Sequence, residues 1–208
     1  MPPVAASVDA LLFDLGGVLV EIDFNRAFEA WASAARVPAS RIAARFSFDP
    51  AYEAHERGEI RGSEYFAHLR NALGVSLSED EFLAGWNAIF LEPVAGIDTV
   101  LEGLPKVFPL YVFSNTNPAH QAYWQFRYKD VLEPFSRVFC SCDLGARKPG
   151  GEAFLKVCAR IGSPPSRIAF FDDSQANVLG ARQAGLHAFQ VASAAEVRRA
   201  LTHELGIA

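Results

Sequence analysis

The sequence predicts an α/β fold, a parallel sheet covered by helices, with an all-helical insertion after the first strand. Three observations carry that reading. Short apolar runs rich in Leu, Val, Phe and Ile alternate with helical patterns along much of the chain, as expected of strands buried on both faces of a sheet. The stretch from about Phe24 to Pro93 breaks the alternation, with aromatic and aliphatic residues recurring at helical spacing and no strand candidate. The chain has 208 residues, half of them apolar, which suffices to bury a sizeable core.

Taken in chain order, the buried-strand candidates are Ala10 to Phe13, Leu110 to Phe113, Val138 to Cys140, Ile168 to Phe171 and Ala188 to Val191. Each is too short for an independent helix. In the insertion, Asp23 reads as the N-cap of a helix through Phe28 and Trp31. Ser78 to Glu81 reads as a capping box opening a helix toward Phe90, and Leu91 to Gly96 as the hinge that returns the chain to the sheet. Farther on, Phe154, Val157, Cys158 and Ile161 stand at i, i+3, i+4 and i+7, so one face of that helix meets the core; Gly162 and Pro164-Pro165 end it. The expected division is a core of residues 1–23 and 94–208 and a helical unit of residues 24–93.

Composition excludes several function classes. A net charge of −5, from 19 basic and 24 acidic residues with no dense Lys/Arg cluster, argues against nucleic acid and anionic membrane surfaces. No run approaches the roughly 20 apolar residues that span a bilayer, and the N-terminal stretch lacks the basic start of a signal peptide, so a cytoplasmic location is expected. Cys140, Cys142 and Cys158 are an odd set without zinc or CxxC spacing and read as reduced, buried thiols.

Chemistry gathers where three apolar runs end in polar residues: Phe13-Asp14, Phe113-Ser114-Asn115 and Phe171-Asp172-Asp173. Ligands of open parallel sheets bind beyond the carboxyl ends of the strands, so these side chains can share one crevice. Each also has a plainer reading. Asp14 can start a turn, Ser114 or Asn115 can cap the next helix, and Asp173 can be the N-cap before Gln175 to Ala184. Carboxylates from two strands make an oxygen-only site suited to Mg²⁺. Gly16 and Gly17 allow backbone close to a ligand, and Ser114, Asn115 and the Lys148 cation suit a phosphate.

Asp14, Ser114, Lys148 followed by Pro149, and Asp172-Asp173-Ser-Gln-Ala-Asn177 stand in the order of the four motifs of the haloacid dehalogenase superfamily, which the chain resembles. A narrower likeness, to the bacterial α-D-glucose-1-phosphate phosphatases, rests on Phe13 to Arg26, His55 to Ile60, Ser114 to Asn117 and Asp143 to Pro149. The resemblance implies a Rossmann-like core with a small helical cap. It also implies a Mg²⁺-dependent phosphatase acting through an aspartyl-phosphate on Asp14. Ser114 and Asn115 would hold phosphoryl oxygens, Lys148 would neutralise charge, and Asp14, the Gly16 carbonyl and Asp173, with its neighbour Asp172, would hold the metal. The expected partner is a small phosphorylated metabolite, the expected assembly a monomer or homodimer.

Two departures qualify the likeness. Most phosphatases of the superfamily carry a second Asp two residues after the nucleophile as acid and base, and here that position is Gly16. Its loss is worth about 10² to 10⁴ in rate, unless another group substitutes or the leaving group is good, as in a sugar 1-phosphate. The cap cluster His55, Glu56, Arg57 and Glu59 offers substrate contacts, from His55 and Arg57 first, or a surrogate acid; it also reads as a solvated helix end around Gly58. His120 and Trp124 either edge the pocket or, for Trp124, belong to the core. In addition, Gly150 and Gly151 after Lys148-Pro149 leave the orientation of Lys148 open. The alternatives are a metal-independent 2-haloacid dehalogenase and a weakly catalytic protein that binds a phosphorylated metabolite.

Overall fold

A computed structural model describes residues 8–207; residue 1, where the expected core begins, lies outside them. Five parallel strands form the main sheet in the order β5-β4-β1-β6-β7. They are β1 Ala10–Phe13, β4 Leu110–Ser114, β5 Arg137–Cys140, β6 Ile168–Asp172 and β7 His187–Gln190, within a residue of the predicted runs. β1 is central, with β4 added on one side and β6 on the other, so the crevice at its carboxyl end lies where the strand order reverses.

Both faces of the sheet are buried, as the continuous apolar runs require. Leu11, Phe13, Val112 and Phe171 join one core; Ala10, Leu12, Phe113 and Phe170 join the other. The second core is covered by α10 (Gly151–Ile161) and α11 (Gln175–Gln183), through Phe154, Val157, Cys158 and Val178. The first is covered in part by α6 (Ile97–Leu101), α7 (Pro118–Arg127), α8 (Lys129–Leu132) and α12 (Ala194–Arg199). The short α9 (Ser141–Leu144) follows β5 directly.

Between β1 and β4 stands the insertion: α1 (Phe24–Ala35), α2 (Ala39–Ala43), α3 (Pro50–Glu56), α4 (Gly62–Leu73) and α5 (Glu79–Asn87). Asp23 caps α1 by accepting from the Asn25 amide at 2.9 Å, and the Ser78–Glu81 capping box opens α5. An aromatic stack holds the helices together, with Trp31 4.7 Å from Phe82 and 6.0 Å from Trp86 between ring centroids; such pairs contribute roughly 0.5–1.5 kcal/mol each beyond burial.

The return segment differs from the sequence expectation. Where a hinge was read, Phe90–Pro93 forms a strand, β3, paired antiparallel with β2 (Val20–Ile22). Pro93 masked it, since proline argues against a central strand, but in a two-stranded ribbon every strand is an edge and the missing N–H is tolerated. No helix among the described residues is long and apolar enough to cross a membrane.

Candidate active site

β1 ends at Phe13, and the chain turns sharply through Leu15 to Val20, with Leu19 and Val20 both donating to the Leu15 carbonyl at 2.9 Å. Gly17 makes this turn possible. Its φ is +78°, and a Cβ there would stand 2.6 Å from Asp173 Oδ2, so the β1 loop and the β6 loop touch only because position 17 has no side chain. Asp14 is thereby held beside Asp172 and Asp173, and one oxygen of each lies within 4.8 Å of the others.

Lys148 is the cation at the centre. It is 1% exposed, and its Nζ reaches Asp14 Oδ1 at 2.8 Å, Asp172 Oδ2 at 2.7 Å and the Phe113 carbonyl at 2.9 Å. Three donors meet three acceptors. The doubt that Gly150 and Gly151 raised about its orientation is answered by Asn115, whose side chain donates to the Lys148 carbonyl and accepts from the Lys148 amide, both at 2.9 Å. Asn115, expected on a phosphoryl oxygen, also lines the cleft, while its side-chain oxygen and one side-chain N–H fix Lys148. Ser114, expected beside it, is buried and lines the cleft.

Asp172, expected as a metal ligand, is fully buried with both oxygens engaged. Oδ1 accepts from the Ser174 amide (2.8 Å) and Asn177 Nδ2 (3.0 Å), and Oδ2 from Lys148 and Asn177. This arrangement anchors Lys148. Asp14 differs: Oδ1 takes the Leu15 amide at 2.7 Å and Lys148, while Oδ2 has no hydrogen-bond partner among the described residues. Asp173 faces the cleft and is not the N-cap of α11; that residue is Ser174.

Three carboxylates against one ammonium leave uncompensated negative charge in a dry place. Burial pushes the Asp14 carboxyl up to about 8 despite the pull of Lys148, with Asp172 and Asp173 adding to the rise. Asp173 is raised too, first by burial and then by Asp172. Burial works against the Lys148 ammonium, but Asp14 and Asp172 more than offset it and raise its pKa. The donor set is all oxygen and short of positive charge, which fits a hard divalent cation such as Mg²⁺.

Above this floor lies a cleft of about 300 Å³ bounded by Asp14, Gly16, Ser114 and Asp173 below and by Phe48, Tyr52 and Glu56 of the insertion above. A larger groove of about 870 Å³ beside α6 and α8 is lined by Asp98, Glu102, Asp130 and Glu133 with no cation, an unfavourable setting for a phosphate.

The structure divides the cap cluster. His55 is 1% exposed and turned inward, stacked on Tyr65 with centroids 4.7 Å apart. Arg57 lies outside the cleft and pairs with Glu59 at 2.7 Å and Glu53 at 3.5 Å. Neither expected substrate contact therefore reaches the cleft; the intervening Glu56 does, held at 2.8 Å by Arg147. Arg147 was missed as a functional residue, although it lies inside the quoted Asp143–Pro149 motif beside Lys148. His120 does edge the cleft, but Trp124 is core, donating to Thr116 at 3.3 Å. Among the described residues all three cysteines are free.

The chain is similar to proteins of known family. The family model for haloacid dehalogenase-like hydrolases matches residues 8–185. The D-ribitol-5-phosphate phosphatase of Bacteroides thetaiotaomicron is 27% identical over 92% of this chain and 96% of its own length. The N-acetylmuramic acid 6-phosphate phosphatase of Pseudomonas aeruginosa is 25% identical over 85% of this chain and 78% of its own length. A crystal structure of a HAD family enzyme from B. thetaiotaomicron, in complex with magnesium and inorganic phosphate, has a TM-score of 0.74 at 28% identity. That match covers 88% of this chain and 93% of the other.

Proposed function

The chain belongs to the haloacid dehalogenase-like hydrolases, and from that premise we propose that it is a Mg²⁺-dependent phosphatase of small phosphorylated metabolites, with Asp14 as nucleophile. The observation that carries this reading is the unequal dressing of Asp14: Oδ1 is tied to Lys148 and the Leu15 amide, and Oδ2 is left for attack. Named relatives that act on D-ribitol 5-phosphate and N-acetylmuramic acid 6-phosphate support the phosphomonoester class.

Asp14, the Gly16 carbonyl and Asp173 would hold the metal, and Asp172 would act through Lys148. When bound, Mg²⁺ supplies the positive charge that lets an anionic nucleophile approach a phosphate dianion. Lys148 fixes Asp14 in place, and Ser114 lies where it can donate to a phosphoryl oxygen. Residues 24–93 form the cap, which lends the cleft an apolar wall of Phe24, Phe48, Tyr52 and Phe90. Within the phosphomonoester class a sugar phosphate fits the volume of the cleft. A sugar 1-phosphate is the preferred case, because its better leaving group makes less demand on the acid missing at Gly16.

A phosphate-release screen over sugar phosphates, nucleotides and phosphoacids tests the reading. Turnover with Mg²⁺, lost with EDTA and lost by at least about 10⁴-fold in Asp14→Asn, is expected. Metal-independent chloride release from 2-haloacids, or equal trace activity in wild type and Asp14→Asn, would contradict it.

A further inference from the structure

We propose that Glu56, a cap residue, is the proton donor to the leaving oxygen, in place of the carboxyl group that Gly16 does not supply. The inference rests on the phosphatase reading and extends it to a second residue of the reaction.

Most of the titratable groups on the cleft are already committed. Asp14 and Asp173 are committed to attack and to the metal, and Lys148 already spends its three donors on protein acceptors. The Arg147 guanidinium is committed to Glu53 and Glu56. His120 is buried, with one ring nitrogen 3.1 Å from the Asn117 amide and the other 2.9 Å from the Trp86 carbonyl. Burial depresses its pKa to about 3, so it is neutral and its one N–H is engaged. The Tyr52 hydroxyl is held well above the ordinary phenol range by burial and by the facing Glu56. Glu56 remains. It is 4% exposed, lines the same cleft as Asp14 and Gly16, and has a definite orientation set by Arg147 Nε at 2.8 Å.

The charged and titratable neighbours of Glu56 are Tyr52 and Glu53 on α3, Arg147 and Lys148 after α9, and Cys142 on α9. Burial raises its pKa, while Arg147 and Tyr52 restrain the rise. A substrate phosphate entering the cleft adds like charge, which favours the protonated form further. The substrate therefore helps to load the acid that its departure requires.

In the first step Asp14 Oδ2 bonds to phosphorus as the bond from phosphorus to the leaving oxygen breaks. The Glu56 proton moves to that oxygen, releasing an alcohol. Glu56 is left as a carboxylate beside Arg147. Water then attacks phosphorus, the bond from Asp14 to phosphorus breaks, and the water proton returns to Glu56 as phosphate forms.

The test compares kcat/KM, which reports transfer to Asp14, for 4-nitrophenyl phosphate and for an alkyl ester such as glycerol 2-phosphate. Nitrophenolate needs no proton to leave; an alkoxide does. In Glu56→Gln the alkyl ester is expected to lose about 10² to 10⁴ in kcat/KM, the nitrophenyl ester no more than a few-fold. The ratio between the two is independent of the fraction of enzyme that folds. Wild-type enzyme gives a second reading without any variant: an alkaline fall in kcat/KM for the alkyl ester that is absent for the nitrophenyl ester. Equal losses on both esters, or matching pH profiles, would overturn the role of Glu56. Wild-type enzyme releasing phosphate from neither ester, nor from any sugar phosphate, would overturn the phosphatase reading itself.

Discussion

On the floor of the cleft Asp14, Asp172 and Asp173 gather around one ammonium, that of Lys148, whereas in the roof Glu53 and Glu56 share the guanidinium of Arg147 and the remaining wall is largely aromatic. The floor is short of positive charge and held rigidly by hydrogen bonds from Asn115, Asn177 and backbone amides. The roof is closer to balance and held by packing. Polar contacts between the two regions include Arg147 reaching Glu53 and Glu56, His120 contacting the Trp86 carbonyl, and Trp86 Nε1 donating to Asn117 Oδ1 at 3.4 Å; at Gly58 the absence of a Cβ lets the turn approach the Cys142 carbonyl. On the proposed reading the floor carries attack and metal, the roof lends it one proton donor, and selection falls to the aromatic wall. A preorganised polar floor tolerates little change, while an apolar wall can be reshaped at small cost.

The comparison breaks most visibly at Lys148. Lys148→Met removes the only cation that touches Asp14 and Asp172 among the described residues and is expected to destabilise the fold by about 3–5 kcal/mol, read by denaturant unfolding, with activity lost. A change near zero would mean that the floor carries much less charge strain than its geometry implies. Gly17→Ala should disturb the same floor more locally. Its methyl collides with Asp173 and its φ is strained, so Mg²⁺ affinity should fall by about 10- to 100-fold, measured by metal titration of activity.

Charge imbalance also sets a pH dependence. The Asp14 carboxyl, ordinarily near 3.8, is raised to about 8 by burial, so between those values the folded state binds more protons than the unfolded one. Stability of the metal-free protein must then fall as pH rises through that window, and Tm at about pH 8 should lie below Tm at about pH 6. Mg²⁺ should restore more Tm at the higher pH; a larger shift at the lower pH would contradict the floor as described. The smallest effect is expected at the exposed aromatic rim of the roof. Phe48 is 60% exposed at the edge of the cleft, so Phe48→Ala should change KM a few-fold and stability by less than about 1 kcal/mol, with kcat held.

The floor was largely legible in the sequence because strand ends announce themselves: an apolar run stopping at Asp14, Ser114 or Asp172 reveals both the strand and the polar group beyond it. What each group does was less legible. Asn115 and Asp172 have the chemistry to touch a phosphate or a metal, but only the fold shows that the Asn115 side chain brackets the Lys148 backbone and that both Asp172 oxygens are already engaged. The roof was harder still. His55, Glu56 and Arg57 are adjacent in sequence, yet successive residues of a helix point about 100° apart, so one turned inward to Tyr65, one reached the cleft and one pointed elsewhere. Arg147 stood in a recognised motif but drew no attention, because its partners lie 91 and 94 residues away.

A phosphoryl group is expected to pass onto Asp14 when a divalent cation balances the floor. Rapid acid quench of enzyme turning over 4-nitrophenyl phosphate, followed by mass analysis of the peptides, examines it directly. With Mg²⁺ one phosphoryl group should be found on the peptide bearing Asp14, and with EDTA none. A phosphoryl group on another residue, or the same yield without the metal, would contradict the account.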